Sequence, residues 1–361
     1  MAFEASKKEW SELYAVFRLL EEGKVDLGTA DVKPSEDGCL PIAYIQREEH
    51  DGSRLYRIEG EYVHLLGEKM DMLVPRADFG DMANRILEGL KQASDNMVES
   101  PEGVEEFLDK VLIYDLEART EDRTDFYIAF YTSEMKPMGF SVRSRIGLLV
   151  PLLDGGRSAN FKFEQTGVRF AVPTVNKVNA LESANEVVDR MLMIERLGGI
   201  LKYSDVADKV FRSNLSMIDL HFPRLISEML RVMYLDGITR VSELTERIKE
   251  INPLKIKDEL IHKHGYYEFK IRQFLMALAL GMRPAKQYNG TDSAVGGFIF
   301  VDGNGRLLCY HKGEKEAFED FLFYNSRFEK GSTEKDKYGY LERENGVYYF
   351  KLNLKIGLTK R

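Results

Sequence analysis

Over the first 22 residues the hydrophobic positions recur at helical spacing. Trp10, Leu13, Tyr14, Phe17 and Leu20 share one stripe, the 3.6-residue period of an amphipathic helix. Just ahead, Ser6-Lys7-Lys8-Glu9 is a capping box, in which hydroxyl and carboxylate each satisfy a backbone N–H that the first turn leaves unpaired. A helix over 7–22 closed by Gly23 is therefore predicted. Glu12 points away from the stripe, an orientation that suits open solvent or a cleft. The pattern then changes. Segments 40–47 and 54–66 look like strands, with Gly60 weakening the second. Segments 79–98 and 102–111 look helical, and 124–131, 138–145 and a stretch near 160–165 look like strands.

From about residue 175 the chain becomes rich in helical pattern. Ser183-Ala184-Asn185-Glu186 is a second capping box, leading into Val187, Val188, Met191 and Leu192 and ending at Gly198-Gly199. Leu225, Ile226, Met229, Leu230 and Met233 mark one face of another helix. Segments 241–251 and 266–280 follow, punctuated by Pro253 and Pro284. Next comes a hairpin, Gly297 to Val301 and Arg306 to His311, joined by Asp302-Gly303-Asn304-Gly305. A last β region spans 347–358. The expected plan is mixed α/β (α+β), in three consecutive blocks: 1–172, a helical section 173–285, and a C-terminal α/β unit 286–361.

Composition narrows the class. At 361 residues, 44% hydrophobic and 30% charged, the chain has the balance of a soluble globular protein. Cys39 and Cys309 are too few for a disulfide framework or a cysteine zinc site, which points to a reducing, cytoplasmic setting. The longest apolar run, 274–282, is too short to span a bilayer, and residues 1–8 carry no signal-like apolar stretch. The net charge of −8 is unevenly spread. Residues 1–118 hold 13 Lys and Arg against 27 Asp and Glu, a net of −14, whereas 119–361 are +6. The acidic bias is thus confined to the first third, and a DNA-facing surface remains open elsewhere.

The chemistry concentrates in the predicted hairpin 124–145. If its strands are antiparallel about a turn near 134–137, Asp125 lies roughly opposite Ser141 to Arg143. Metal-dependent phosphodiester cleavage needs such a cluster: a carboxylate to hold the metal and a cation to stabilise the charge of the transition state. This is the layout of the PD-(D/E)xK nucleases, with Arg143 at the position of the usual lysine. A literal Glu134-Met135-Lys136 also occurs, but it sits at the turn. At about 3.3 Å per strand residue it falls roughly 20 Å or more from Asp125. Glu9 is committed to the capping box, so Glu12 is the first-helix candidate for a second carboxylate. The six histidines form no HExxH-type array; His262 and His264 read as an exposed helix end and His311 as a possible substrate contact. No Gly-x-Ser-x-Gly, Walker A or Rossmann fingerprint is present, and Gly303-Asn304-Gly305 is a turn rather than a phosphate loop.

Four stretches together resemble the HpaII-type family of type II restriction endonucleases. They are Glu9-Trp10-Ser11-Glu12-Leu13-Tyr14; Gly139-Phe140-Ser141-Val142-Arg143-Ser144 with Ala159-Asn160-Phe161; Gly296-Gly297-Phe298 through Cys309-Tyr310-His311; and Lys351-Leu352-Asn353-Leu354. Their order and spacing run from end to end of the chain. The resemblance implies a PD-(D/E)xK core, a mixed central sheet flanked by helices, that cuts double-stranded DNA with Mg²⁺ within a short G·C-only palindrome such as CCGG. It also implies a cognate DNA methyltransferase as genetic partner. Asp125 matches the metal-binding Asp, Ser141 stands in the second-carboxylate slot, Glu12 matches a first-helix metal ligand, and Asn160 matches the Asn of the family's Thr-Asn-Phe.

Two departures stand out. The family's Phe-Ser-Ile-Lys-Ser is here Phe-Ser-Val-Arg-Ser, so Arg143 replaces the catalytic lysine. Its Leu-Leu-Asn-Ala-Ser is here Leu152-Leu153-Asp154-Gly155-Gly156. Arginine keeps the positive charge and can grip a phosphate with two bonds, but it is larger and does not release a proton. If the proton-exchangeable ammonium matters, the loss is on the order of 10²–10³ in rate, that of one transition-state donor. Lys162 is a candidate to replace it in space. Asn160, Lys162, Arg145 and His311 are the candidate DNA contacts. The rival readings are a DNA-binding relative weakened by Arg143 and an α/β protein unconnected with DNA.

Overall fold

The computed structural model describes residues 3–118, 124–131, 135–147, 149–291 and 295–359. They divide into two compact units: one of Met1–Val150 with Asp292–Phe321, the other of Pro151–Thr291 with Leu322–Thr359.

In the first unit the first helix, α1, spans Lys7–Glu22 as its pattern predicts. Both halves of the capping box form: the Glu9 N–H donates to Ser6 Oγ, and Glu9 Oε2 accepts from the Ser6 N–H. Gly23 ends the helix in the left-handed conformation at φ 65°, which glycine adopts without Cβ strain. The predicted stripe is buried, but so are Ser11, Glu12, Ala15, Val16 and Leu19. One reason is a second helix, α2 (Arg76–Gln92), packed along α1. Phe17, Phe79 and Phe107 meet edge to face with centroids 5.2–5.6 Å apart, an arrangement aromatic quadrupoles favour. Trp10 Nε1 donates to the Val98 carbonyl at 3.0 Å, so its buried N–H is satisfied.

Against these helices lies a nine-stranded mixed sheet. Its order is Lys24–Gly28, Leu307–His311, Val295–Val301, Met138–Ser144, Phe126–Phe130, Pro34–Glu49, Gly52–Glu59, Tyr62–Gly67 and Met70–Pro75. Lys24–Gly28 also pairs with the start of Pro34–Glu49, so the first six strands form a closed cycle of pairings. The segment 54–66 is two strands rather than one, because the chain turns at Gly60, φ 58°. Alternation along the strands sets two faces. Phe126, Ile128, Phe140, Val142, Ile299 and Val301 belong to the core that contains α1. Phe298 and Phe300 instead pack on Phe318 and Phe321, at 5.3 and 5.2 Å, from the helix Lys315–Asn325.

The second unit holds a four-stranded antiparallel sheet, Gly199–Val206, Asn160–Gly167, Val347–Asn353 and Leu341–Glu344. A three-stranded one is built from Leu153–Asp154, Lys355–Leu358 and Ser326–Glu329. Its larger helices include Glu186–Arg196, Phe222–Asp236, Val241–Ile251 and Tyr266–Ala279. The second capping box does not form. Asn185 is the N-cap, while Ser183 Oγ donates to Asp189 Oδ2 and accepts from the Asn185 N–H.

These units differ from the three consecutive blocks expected from the sequence. The 286–361 block is divided between them: Val295–Val301 joins the first unit by parallel pairing with Met138–Ser144, whereas Val347–Asn353 pairs with Asn160–Gly167 in the second. Pairing between strands distant in sequence leaves no trace in local periodicity. The same pairings explain the four family-like stretches. Three of them, from α1, the 138–144 strand and the 295–311 hairpin, meet in the first unit, and 160–161 and 351–354 are neighbours in the second.

Candidate active site

Asp125 immediately precedes the strand Phe126–Phe130. That strand pairs with Met138–Ser144 in the register Phe126↔Phe140, which sets Asp125 beside Ser141. The Asp125 N–H donates to the Phe140 carbonyl at 2.8 Å, and Asp125 Oδ2 accepts from the Val142 N–H at 2.6 Å. The hairpin thus has the pairing that the sequence predicts. Ser141 is buried beside it. Glu134 of the literal Glu-x-Lys lies outside the described residues.

Strand alternation puts Arg143 and Arg145 on the Ser141 face, where each guanidinium lies over a ring of the parallel neighbour: Phe298 at 4.9 Å and Phe300 at 5.2 Å from the centroids. Such cation–π seating fixes the head groups laterally. The positive charge of Arg143 acts on Asp125, helping to offset the rise that burial imposes on its carboxyl pKa; the Val142 N–H and Lys8 act in the same direction.

Glu12 is not the solvent-facing residue that the helical stripe allows. It is 4% exposed. Burial first, and then the negative charge of Asp125, push its carboxyl up to about 8 against the opposing pull of Lys8. Lys8 Nζ lies 3.3 Å from Glu12 Oε1, one helical turn away, and 2.6 Å from Glu117 Oε1. Glu12 Oε1 accepts no aligned hydrogen bond. Burial would lower the Lys8 pKa, but Glu117 and Glu12 together hold it above its ordinary value.

Lys8 and Glu117 are therefore members of this cluster that the sequence reading missed. The i,i+4 spacing of Lys8 and Glu12 is a readable helix pair; Glu117, in irregular chain between the helix Val104–Lys110 and the hairpin, has no such signal. Among the described residues no three His, Cys, Asp or Glu side chains converge as a ready-made metal cage. Even so, the buried Glu12, on which the negative charge of Asp125 acts, has an oxygen with no aligned hydrogen bond, and these two carboxyl groups suit a hard divalent cation, which prefers oxygen donors.

The remaining candidates are His311, Asn160 and Lys162. His311 is buried at the end of the strand Leu307–His311. Its Nδ1 accepts from the Gly313 N–H at 3.1 Å, which leaves the proton on Nε2, and burial lowers its pKa. Asn160 and Lys162 belong to the second unit. The Asn160 amide donates to the Asp336 and Lys337 carbonyls and accepts from Asn353 Nδ2 at 2.8 Å. Lys162 Nζ is bonded to Glu344 and lies 4.3 Å from the Tyr349 centroid. Both side chains bond to other groups of the second unit.

A family model described as HpaII restriction endonuclease matches residues 6–358. The chain belongs to the HpaII restriction endonuclease family. It is 30% identical over 360 residues to the type II restriction enzyme HpaII of Haemophilus parainfluenzae, a match covering 98% of each chain. No solved structure matches it significantly. Membership of the HpaII restriction endonuclease family makes the chain a site-specific deoxyribonuclease and removes the reading unconnected with DNA. No described helix is long and apolar enough to cross a membrane.

Proposed function

We propose that the protein is a type II restriction endonuclease that hydrolyses phosphodiester bonds of double-stranded DNA at CCGG, using Mg²⁺ held by Asp125 and Glu12 in a PD-(D/E)xK core. The observation that carries this reading is the buried Glu12, on which the charge of Asp125 acts, together with Arg143, whose charge acts on Asp125. The bound metal would supply Lewis-acid neutralisation and lower the pKa of water. The chain's own residues do the rest. The Val142 N–H and the hairpin pairing orient Asp125, while Ser141, in place of a second strand carboxylate, leaves Glu12 to complete the charge. Arg143, steadied on Phe298, offers its guanidinium to the phosphate as negative charge develops. Arg145 and the Nε2–H of His311 are hydrogen-bond donors of the same unit for the DNA backbone or a base edge. The HpaII enzyme's type II designation supports the site-specific reading. Such an enzyme acts in the cytoplasm beside a cognate methyltransferase, since cleavage of unprotected host DNA is lethal.

The test is digestion of unmethylated phage-sized DNA with and without Mg²⁺. Discrete metal-dependent fragments whose ends map to CCGG bear the proposal out. Intact DNA together with salt-sensitive binding would favour the DNA-binding relative weakened by Arg143, and Arg143→Lys would then be expected to restore cleavage.

A further inference from the structure

Lys8 is placed where a divalent cation would need room. Its ammonium is 3.3 Å from Glu12 Oε1, an oxygen that accepts no aligned hydrogen bond, and its charge also acts on Asp125. The same ammonium is anchored to Glu117, at 2.6 Å, on the outer side of the cluster, where both side chains are about half exposed. An ammonium and a dication cannot both contact one carboxylate without strong repulsion, least of all where burial weakens solvent screening.

We propose that Lys8 is an internal competitor for the metal: without a cation it occupies Glu12 Oε1, and when the cation binds it withdraws to Glu117. This inference rests on Glu12 and Asp125 being the metal ligands. Lys8 is then a positioning residue, acting through Glu12, and Glu117 determines how readily it gives way. The arrangement keeps Glu12 Oε1 from standing without a neighbour and weakens metal binding. It also accounts for a lysine in the first turn of α1, where the helix dipole favours anions and disfavours cations.

The experiment is direct Mn²⁺ binding to the full chain without DNA, read by electron paramagnetic resonance, for wild type, Lys8→Met, Glu117→Gln and the double variant. With a competing ion pair removed, Lys8→Met is expected to bind Mn²⁺ about tenfold more tightly. Glu117→Gln, which deprives Lys8 of its second mooring, should bind more weakly than wild type. The double variant should bind more tightly than Glu117→Gln and somewhat less tightly than Lys8→Met, because Glu117 holds Lys8 and also acts on Glu12 and Asp125 with its own charge. Lys8→Gln serves as a second neutral variant, and thermal melting verifies that each is folded. Unchanged or weaker binding by both folded neutral variants overturns the inference, as does a double variant as weak as Glu117→Gln. Wild-type binding abolished by Asp125→Asn, with no effect at Lys8, would overturn this inference alone. Metal-dependent cleavage untouched by Asp125→Asn would overturn the site reading beneath it.

Discussion

Both units gather lysines and carboxylates, and the contrast between the two clusters is instructive. In the second unit Lys162 and Lys351 face each other across paired strands, and Glu342 and Glu344 from the next strand are bonded to them. Two cations meet two anions at the surface of a sheet. The Lys162 hydrogen bond, against the opposing effect of burial and with the help of Lys351, holds Glu344 below its ordinary pKa. In the first unit Glu12 is buried, the charge of Asp125 raises the cost of ionising it, and Lys8 offsets that cost only in part, while Arg143 acts on Asp125. A balanced, half-exposed cluster holds strands together. An under-neutralised one is what the proposed reading needs to receive a cation and a phosphate.

The largest expected break between the clusters is Asp125→Asn, which should lower cleavage about 10³-fold by removing charge at the metal locus while leaving the side chain's shape. Steady-state digestion of a supercoiled plasmid measures it. Glu12→Gln should cost about 10²-fold in the same assay, with weaker metal binding. Arg143→Ala should lose on the order of 10²-fold, whereas Arg143→Lys should stay within about tenfold of wild type, since on the proposed reading the reaction uses charge at that position. A collapse on Arg143→Lys as deep as that of alanine would show that the two-pronged guanidinium itself is required.

The clusters should also answer pH with opposite sign. Glu12 titrates near 8 in the folded, metal-free protein against its ordinary 4.5. Its contribution to stability is therefore complete below about 4.5 and is lost as pH rises through about 8. Thermal melts from pH 6 to 9 should show a fall in Tm that Mg²⁺ or Glu12→Gln suppresses. Glu344 is held down, so its contribution is present above its ordinary pKa and fades as pH drops below it. The smallest effect should be Lys162→Met: about 1 kcal/mol or less of stability, as for other partly exposed ion pairs, and unchanged cleavage. A large loss of cleavage would bring Lys162 back into the DNA-facing machinery.

Much of this was legible beforehand. Period, capping box and Gly23 defined α1 from local information, and alternation in 124–131 and 138–145 placed Asp125 opposite Ser141. The motif comparison singled out Arg143. Less legible was the strand Lys24–Gly28, whose short Lys-Val-Asp-Leu-Gly run has no clear alternation, although it links both ends of the cycle of six strands. Asn160 and Lys162 were attractive by motif and charge, yet their partners, Asn353, Asp336 and Glu344, lie some 175 to 195 residues away.

The amino-acid sequence by itself determined what short-range interactions decide: helix start and stop, strand alternation, hairpin register and the residue types available for chemistry. Only the tertiary structure decided the electrostatics. Helical periodicity places Glu12 off the apolar stripe but cannot say what covers that side, and burial, together with the Asp125 charge, turns an ordinary carboxyl into one that titrates near 8. The meeting of Lys8 with Glu117, and the parallel pairing that sets Phe298 beneath Arg143, likewise depend on segments about 100 to 160 residues apart. Coulomb energy depends on distance in space and on the surrounding dielectric, and neither is written in the order of the residues.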